Sequence, residues 1–252
     1  MTFLTQLRKE IMEQFRTRRF LIVFIVLLVW GMLSPLTAKF IGEIFNSIPA
    51  MAPYAALIPP PTVIDAIGQY IKNVNQFMVI LALLVTMGSV VVEKDKGTAA
   101  LMLVKPLPRS TFILAKFLAL VFTFGVSLLA AAIADYYYTL YLFQPLEIGP
   151  FLALNGFMLL YTLVYVAITL FASTLFKSQA AAVGVGFGAL LFLAVLGSFP
   201  PLKEKLPDQL ILWGTGLMSG SHMAYWPALL ISVGIILASL LGAWLVFRKQ
   251  EL

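Results

Sequence analysis

The sequence predicts an all-α integral membrane protein with six transmembrane helices. Three observations carry that prediction. Hydrophobic residues make up 61% of the 252-residue chain and charged residues 11%, with a mean hydropathy of +0.98. A soluble domain carries about 25% charged residues. Six apolar runs, at residues 20–38, 74–92, 113–134, 151–172, 179–199 and 227–247, have no Lys, Arg, Asp or Glu in their cores. Each is close to the roughly 20 residues that cross a bilayer. Backbone groups in lipid must pair within their own segment, so these runs are expected to be helices.

The excess of positive charge is +6, and it follows topology. Thirteen Lys and Arg fall before the first run, within residues 93–116, in the turn at 173–178 and in the tail, against four (Lys39, Lys72, Lys203, Lys205) on the other side. The positive-inside rule then places both termini and residues 93–116 in the cytoplasm. Basic residues at membrane faces need no nucleic-acid partner to explain them. The first run is expected to stay in the membrane rather than be removed as a signal peptide, because no small-residue cleavage site follows it.

Residues 1–19 precede the first span. Leu4, Leu7, Ile11 and Phe15 line one helical face, while Arg8, Glu10, Glu13, Gln14 and Arg16 fill the other. That pattern predicts an amphipathic interfacial helix. It reads either as an elbow helix that contacts a partner, with Arg8, Arg16, Arg18 and Arg19 as its basic residues, or as a plain surface anchor. Between the first two spans lies "IPPP" at 58–61. Thr62 followed by Asp65 has a capping-box pattern, so the second helix should begin there, before its apolar run. "DYYYTLYLF", 135–143, is expected to be an aromatic belt at the outer interface, with Asp135 an interfacial carboxylate hydrogen-bonded to tyrosines. "QLILW", between Pro207 and Gly214, is too short to cross. It reads as an interfacial or re-entrant segment before the sixth span.

Several chemistries are excluded. The chain has no cysteine and one histidine, His222, which removes disulfides, thiolates and most metal sites. His222 beside Ser221 is a loop pair, not a catalytic triad. "GVGFGA", 184–189, fits a dinucleotide fingerprint but lies inside an apolar run. Gly184 and Gly188 read better as a close helix-packing pair. No phosphate-cradling loop occurs, so the chain should not hydrolyse ATP itself. The mild polar residues of the spans (Thr86, Thr123, Ser127, Asn155, Thr162, Thr169, Ser232, Ser239) read as packing groups. Without charged span residues an ion-coupled carrier is a weak alternative. Without a catalytic constellation, so is a membrane enzyme acting on lipid.

The remaining stretch, "EKDKGTAALMLVKPLPRSTFILAK" from Glu93 to Lys116, breaks the apolar pattern. Gly97 can end one helix and Thr98 can start a short one over 99–104. Lys105-Pro106 stops it, Pro108 stiffens the exit, and Ser110 can cap the third span. The short helix would expose Leu101, Met102 and Leu103, an apolar patch fit for a protein partner. Glu93 near a helix C-terminus opposes the dipole and calls for a cation; Arg109 is the expected one.

Glu93, Gly97-Thr98, Leu101, Leu103, Pro106, Pro108-Arg109 and Lys116 together resemble the E-x-x-x-G-T…L…P-x-x-R…K pattern of ABC-2-type transporter permeases. The six spans and the basic amphipathic N-terminal helix agree with it. Among such proteins the chain is most similar to small permeases without a large outer domain, such as that of the nitrous-oxide-reductase maturation system and the bacitracin-type drug exporters. Ala99-Ala100 departs from the Leu-Glu that many relatives carry. The resemblance implies a single ABC-2-type transmembrane domain over residues 1–252, in a bacterial inner membrane, working as a dimer with a path lined by spans two and five. It also implies that the chain is a transporter subunit rather than an enzyme, with no cofactor of its own. ATP and Mg would sit on a separate cytoplasmic ATPase that docks on Glu93, Gly97, Thr98, Leu101, Met102, Pro106, Pro108 and Arg109. The substrate stays open: the largely apolar spans suit a hydrophobic or amphipathic cargo but are explained equally well by packing, and the resemblance adds one linked to metalloenzyme maturation.

Overall fold

A computed structural model describes residues 3–55, 59–95, 108–221 and 223–249, and every regular element in them is helical. The elements are α1 (Phe3–Arg16), α2 (Arg19–Lys39), α3 (Ile41–Ser47), α4 (Ala52–Ala55), α5 (Val63–Thr86), α6 (Val91–Asp95), α7 (Arg109–Leu142), α8 (Ile148–Leu175), α9 (Gln179–Leu196), α10 (Pro200–Lys203), α11 (Gln209–Met218) and α12 (Trp226–Lys249). Among the described residues six helices are long and apolar enough to cross a membrane: α2, α5 with its continuation α6, α7, α8, α9 and α12.

The helices overrun the apolar stretches that mark them. At 1.5 Å per residue, the 34 residues of α7 reach about 50 Å, well beyond a hydrocarbon core of about 30 Å. The aromatic run after residue 134 therefore belongs to the far end of this helix, where Tyr137 and Tyr141 stand exposed. α5 begins at the expected place. The Thr62 side chain accepts from the Asp65 N–H, and the Asp65 carboxylate accepts from the Thr62 N–H at 2.8 Å. Ser110, in contrast, is not a cap. α7 starts at Arg109, two residues before a Ser110 cap would start it, with no side-chain cap bond from Pro108.

In lipid the surroundings are as apolar as leucine, so helices associate by close fit rather than by escape from water. The tightest fit pairs α2 with α7. A Cβ on Gly31 would lie 2.5 Å from the Ala131 carbonyl oxygen, so the two backbones approach as only glycine permits. Leu27, Tyr70, Met78, Phe112, Phe124 and Leu154 fill the fully buried centre between α2, α5, α7 and α8. Thr123, Ser127, Thr162 and Ser232 turn their hydroxyls back to the carbonyl four residues earlier on their own helices. Asn155 does the same through its amide. These side chains satisfy themselves locally, whereas the buried hydroxyls of Thr86 and Thr169 have no hydrogen-bond partner among the described residues.

Burial is uneven. In the most apolar window of α5 61% of residues are buried, against 11% in α9. The glycine pair read as a packing motif sits on the open side of α9. Neither Gly184 nor Gly188 has an atom within 4 Å of where a Cβ would be, and the close contact falls on Gly186 instead. α11 is ten residues long, about 15 Å, too short to cross. It leans on α8 through Trp213, stacked on Phe157 at 4.7 Å.

Candidate functional site

α1 meets the bundle with its polar stripe, not its apolar one. Gln6, Glu10 and Gln14, at i, i+4 and i+8, are the buried residues of this helix. Leu4 is 73% exposed and Phe15 50%. The reason is the partner. Lys116, two turns inside α7, is 3% exposed, and a buried ammonium is tolerated only with carboxylates beside it.

Two carboxylates supply that need and close a ring. Lys116 Nζ donates to Glu10 Oε2 and to Glu93 Oε1, both at 2.9 Å. Lys9 Nζ donates to Glu93 Oε1 at 2.9 Å and to Glu10 Oε1 at 3.1 Å. Charge therefore alternates around Lys9, Glu10, Lys116 and Glu93, drawn from α1, α6 and α7. Gln6 Nε2 adds a bond to Glu10 Oε1 at 2.8 Å, and Lys116 lies 4.8 Å from the Phe112 ring centre. Burial alone would lower the Lys9 pKa, but the Glu10 and Glu93 carboxylates hold it above the usual lysine range. Its contribution to stability is complete at neutral pH and is lost only as pH climbs through that raised value.

The carboxylates of Glu10, Glu13 and Glu93 lie within 4.8 Å of one another, a spacing that could hold a metal ion. Lys9 Nζ already sits among them, 3.3 Å from Glu13 and closer to the other two. The cation of this cluster is a side chain.

The flanks of the same stretch fasten two more helix ends. After α5 stops at Thr86, the Ser173 hydroxyl of α8 accepts from the N–H groups of Val90 and Val91 at 3.1 and 3.2 Å and donates to the Met87 carbonyl. Lys94 Nζ donates to the carbonyls of Thr174 and Phe176, at the end of α8. Arg109 Nη1 donates to the carbonyls of Phe247 and Arg248, 2.7 Å each, at the end of α12. Cations at helix C-termini complement the dipole and the free carbonyls there.

This corrects the expected Glu93–Arg109 pair. Glu93 is claimed by two lysines, and Arg109 is drawn to helix-end carbonyls. Nothing local could reveal the pairing, since Lys9 is 84 residues from Glu93. Two signals were nonetheless present in the sequence. One is the polar i, i+4, i+8 stripe in α1, and the other is a lysine two turns inside an apolar helix.

Of the basic residues singled out before the first span, Arg8, Arg16 and Arg18 are exposed. Arg18 makes the corner between α1 and α2, with φ 59° in the left-handed region. Arg19 Nη2 and Gln179 Oε1 both lie against Gly88. Pro108 is exposed at the start of α7. Gly97, Thr98, Leu101, Met102 and Pro106, with the short helix expected over 99–104, lie outside the described residues, as does His222. Asp135 does not make the hydrogen bonds to tyrosines expected of it. It is fully buried in α7, and neither of its oxygens has a hydrogen-bond partner among the described residues.

Comparison with known proteins adds two findings. Residues 4–202 match the family model described as ABC-2 family transporter protein. The chain is also 26% identical, over 251 residues, to the uncharacterized transmembrane protein YxlG of Bacillus subtilis (strain 168), covering 97% of this chain and 96% of that protein.

Proposed function

This chain belongs to the ABC-2 family of transporter proteins, and from that premise we propose that it is the membrane subunit of an ATP-driven exporter. The whole chain acts as one transmembrane domain. A separate cytoplasmic ATPase carries ATP and Mg, and residues 96–107 with Glu93, Pro108 and Arg109 form its docking segment. Two copies build the path, with α5 and α9 lining it. Both termini and the ring lie on the cytoplasmic side, where the excess of Lys and Arg points.

The observation that carries this reading is the ring of alternating charge. It ties α1, α6 and α7 together at one end of the bundle, directly beside the docking segment. Lys94 and Arg109 extend the tie to α8 and α12. A push on residues 96–107 is thereby delivered to five helices at once, and a close-packed bundle answers as a rigid body. The exposed apolar face of α1 is left for the inner leaflet, which covers it and fixes the height of the ring in the membrane. The open side of α9, with Gly184 and Gly188, is left for the second copy. α11 rests in the outer interface as the short segment before the last span.

Co-expression with the ATPase encoded alongside, purification, and an assay of vanadate-sensitive ATP hydrolysis test the proposal. The expected result is a stable complex that hydrolyses ATP and loses its partner in L101D. An ATPase that never co-purifies, or one that binds L101D equally well, contradicts it.

A further inference from the structure

A second feature lies in the half of the bundle away from the ionic ring. α9 touches α8 and α5 closely where Gly186 meets Thr169 of α8 and Leu83 of α5. A Cβ at Gly186 would fall 2.5 Å from Thr169 Oγ1 and 2.6 Å from Leu83 Cδ2. Beyond that contact α8 and α9 part and leave a crevice of about 320 Å³. Tyr161 and Tyr165 of α8 form one wall, and Leu190 and Leu193 of α9 form the other. Asp208 closes the end that faces away from the ring.

The wall chemistry is selective. The two tyrosine rings stand edge to face, with centroids 5.2 Å apart. Tyr165 donates its hydroxyl to Tyr161 at 3.2 Å, which leaves the Tyr161 proton for another acceptor. No lysine or arginine lines the space. Among the described residues Asp208 has no cationic side chain within 4.0 Å, although Lys203 and Lys205 share its connection. The hydrogen bond given to Asp208 comes from a neutral amide, Gln209 Nε2, at 3.2 Å. A carboxylate with no cationic side chain within ion-pair distance, lining a crevice together with two aromatic rings, attracts a cation. A bare metal ion is poorly served, since one carboxylate and two phenols fall short of the six or more oxygens that a hard cation takes. The apolar walls instead favour a cation that carries hydrocarbon, and the volume suits a small organic molecule.

We propose that this crevice is a binding site for a monocationic amphiphile, with its ammonium or similar head between Asp208 and the tyrosines and its apolar part along Leu190 and Leu193. The site stands on its own geometry and needs no ATPase. That the ligand is also the exported cargo is a further step, which rests on the exporter reading above.

Ethidium is a suitable probe, titrated into the purified full chain in phosphatidylcholine nanodiscs and read by fluorescence against empty nanodiscs. Saturable binding is expected, displaced by benzyltrimethylammonium and not by benzenesulfonate. D208N should weaken it by at least about tenfold, and Y161L by several-fold, while Y161F, which keeps the ring, stays within about twofold. Asp208 is exposed in this chain, so D208N should remain monodisperse and folded. Absence of saturable binding, an unchanged affinity in D208N, or equal displacement by benzenesulfonate overturns the proposal. Repeating the titration as stimulation of ATP hydrolysis in the complex separates the two ideas. Binding without stimulation keeps the site and removes the cargo step.

Discussion

Glu93 and Asp135 are both buried carboxylates in this bundle, 7% and 0% exposed, and their surroundings could hardly differ more. Glu93 accepts from Lys9 and Lys116 and belongs to a closed ring of charge. Asp135 has no hydrogen-bond partner for either oxygen among the described residues. α7 contributes to both places, with Lys116 near its first turns and Asp135 nineteen residues on. A buried charge that is fully paired fixes how elements sit against one another, and removing one partner is far more costly than never having had one. The ring is a fastener of three elements. Asp135 fastens nothing that the structure describes.

That contrast sets an order of effects. K116A should be the most damaging change, because it leaves Glu10 and Glu93 facing each other without the deeper cation. A loss of about 3–5 kcal/mol is expected, seen as a lower unfolding midpoint in detergent and as protease access to α1. E93Q keeps the shape and one acceptor but removes a charge from two charge-assisted bonds, for a loss of about 1.5–3 kcal/mol. R109A uncaps the end of α12 and should cost about 1 kcal/mol, with faster hydrogen exchange at residues 245–249 as the local sign. D135N replaces a carboxylate without a counter-charge by a neutral group of the same shape, so stability should change by less than about 0.5 kcal/mol or rise. A D135N loss larger than that of E93Q would break the comparison.

The spans were legible because a run of about 20 apolar residues has few other uses. The start of α5 was legible because Thr62 and Asp65 are three residues apart and interact locally. The family was legible in the motif around residues 93–116, most of which lies in sequence before it lies in space. What failed was long-range. The partner of Glu93 is 84 residues away on one side, and which face of α1 turns inward depends on Lys116, 106 residues from Glu10. An apolar face in a soluble protein points inward, but here lipid can take it, so amphipathicity alone leaves the sign open. For the same reason the Gly184–Gly188 spacing marks an open face of α9, while the fit falls on Gly186. The crevice beside it was invisible because Tyr161, Leu190 and Asp208 share no pattern along the chain.

In the proposed exporter the ring holds the docking segment in register with the bundle. The most direct test of this claim is the rate of vanadate-sensitive ATP hydrolysis by the purified complex carrying E93Q, beside that of the unaltered complex and of the ATPase alone. The prediction is normal insertion of E93Q together with a rate reduced to that of the ATPase alone, or a complex that no longer holds its ATPase. A full complement of ATPase hydrolysing at the unaltered rate would contradict the claim.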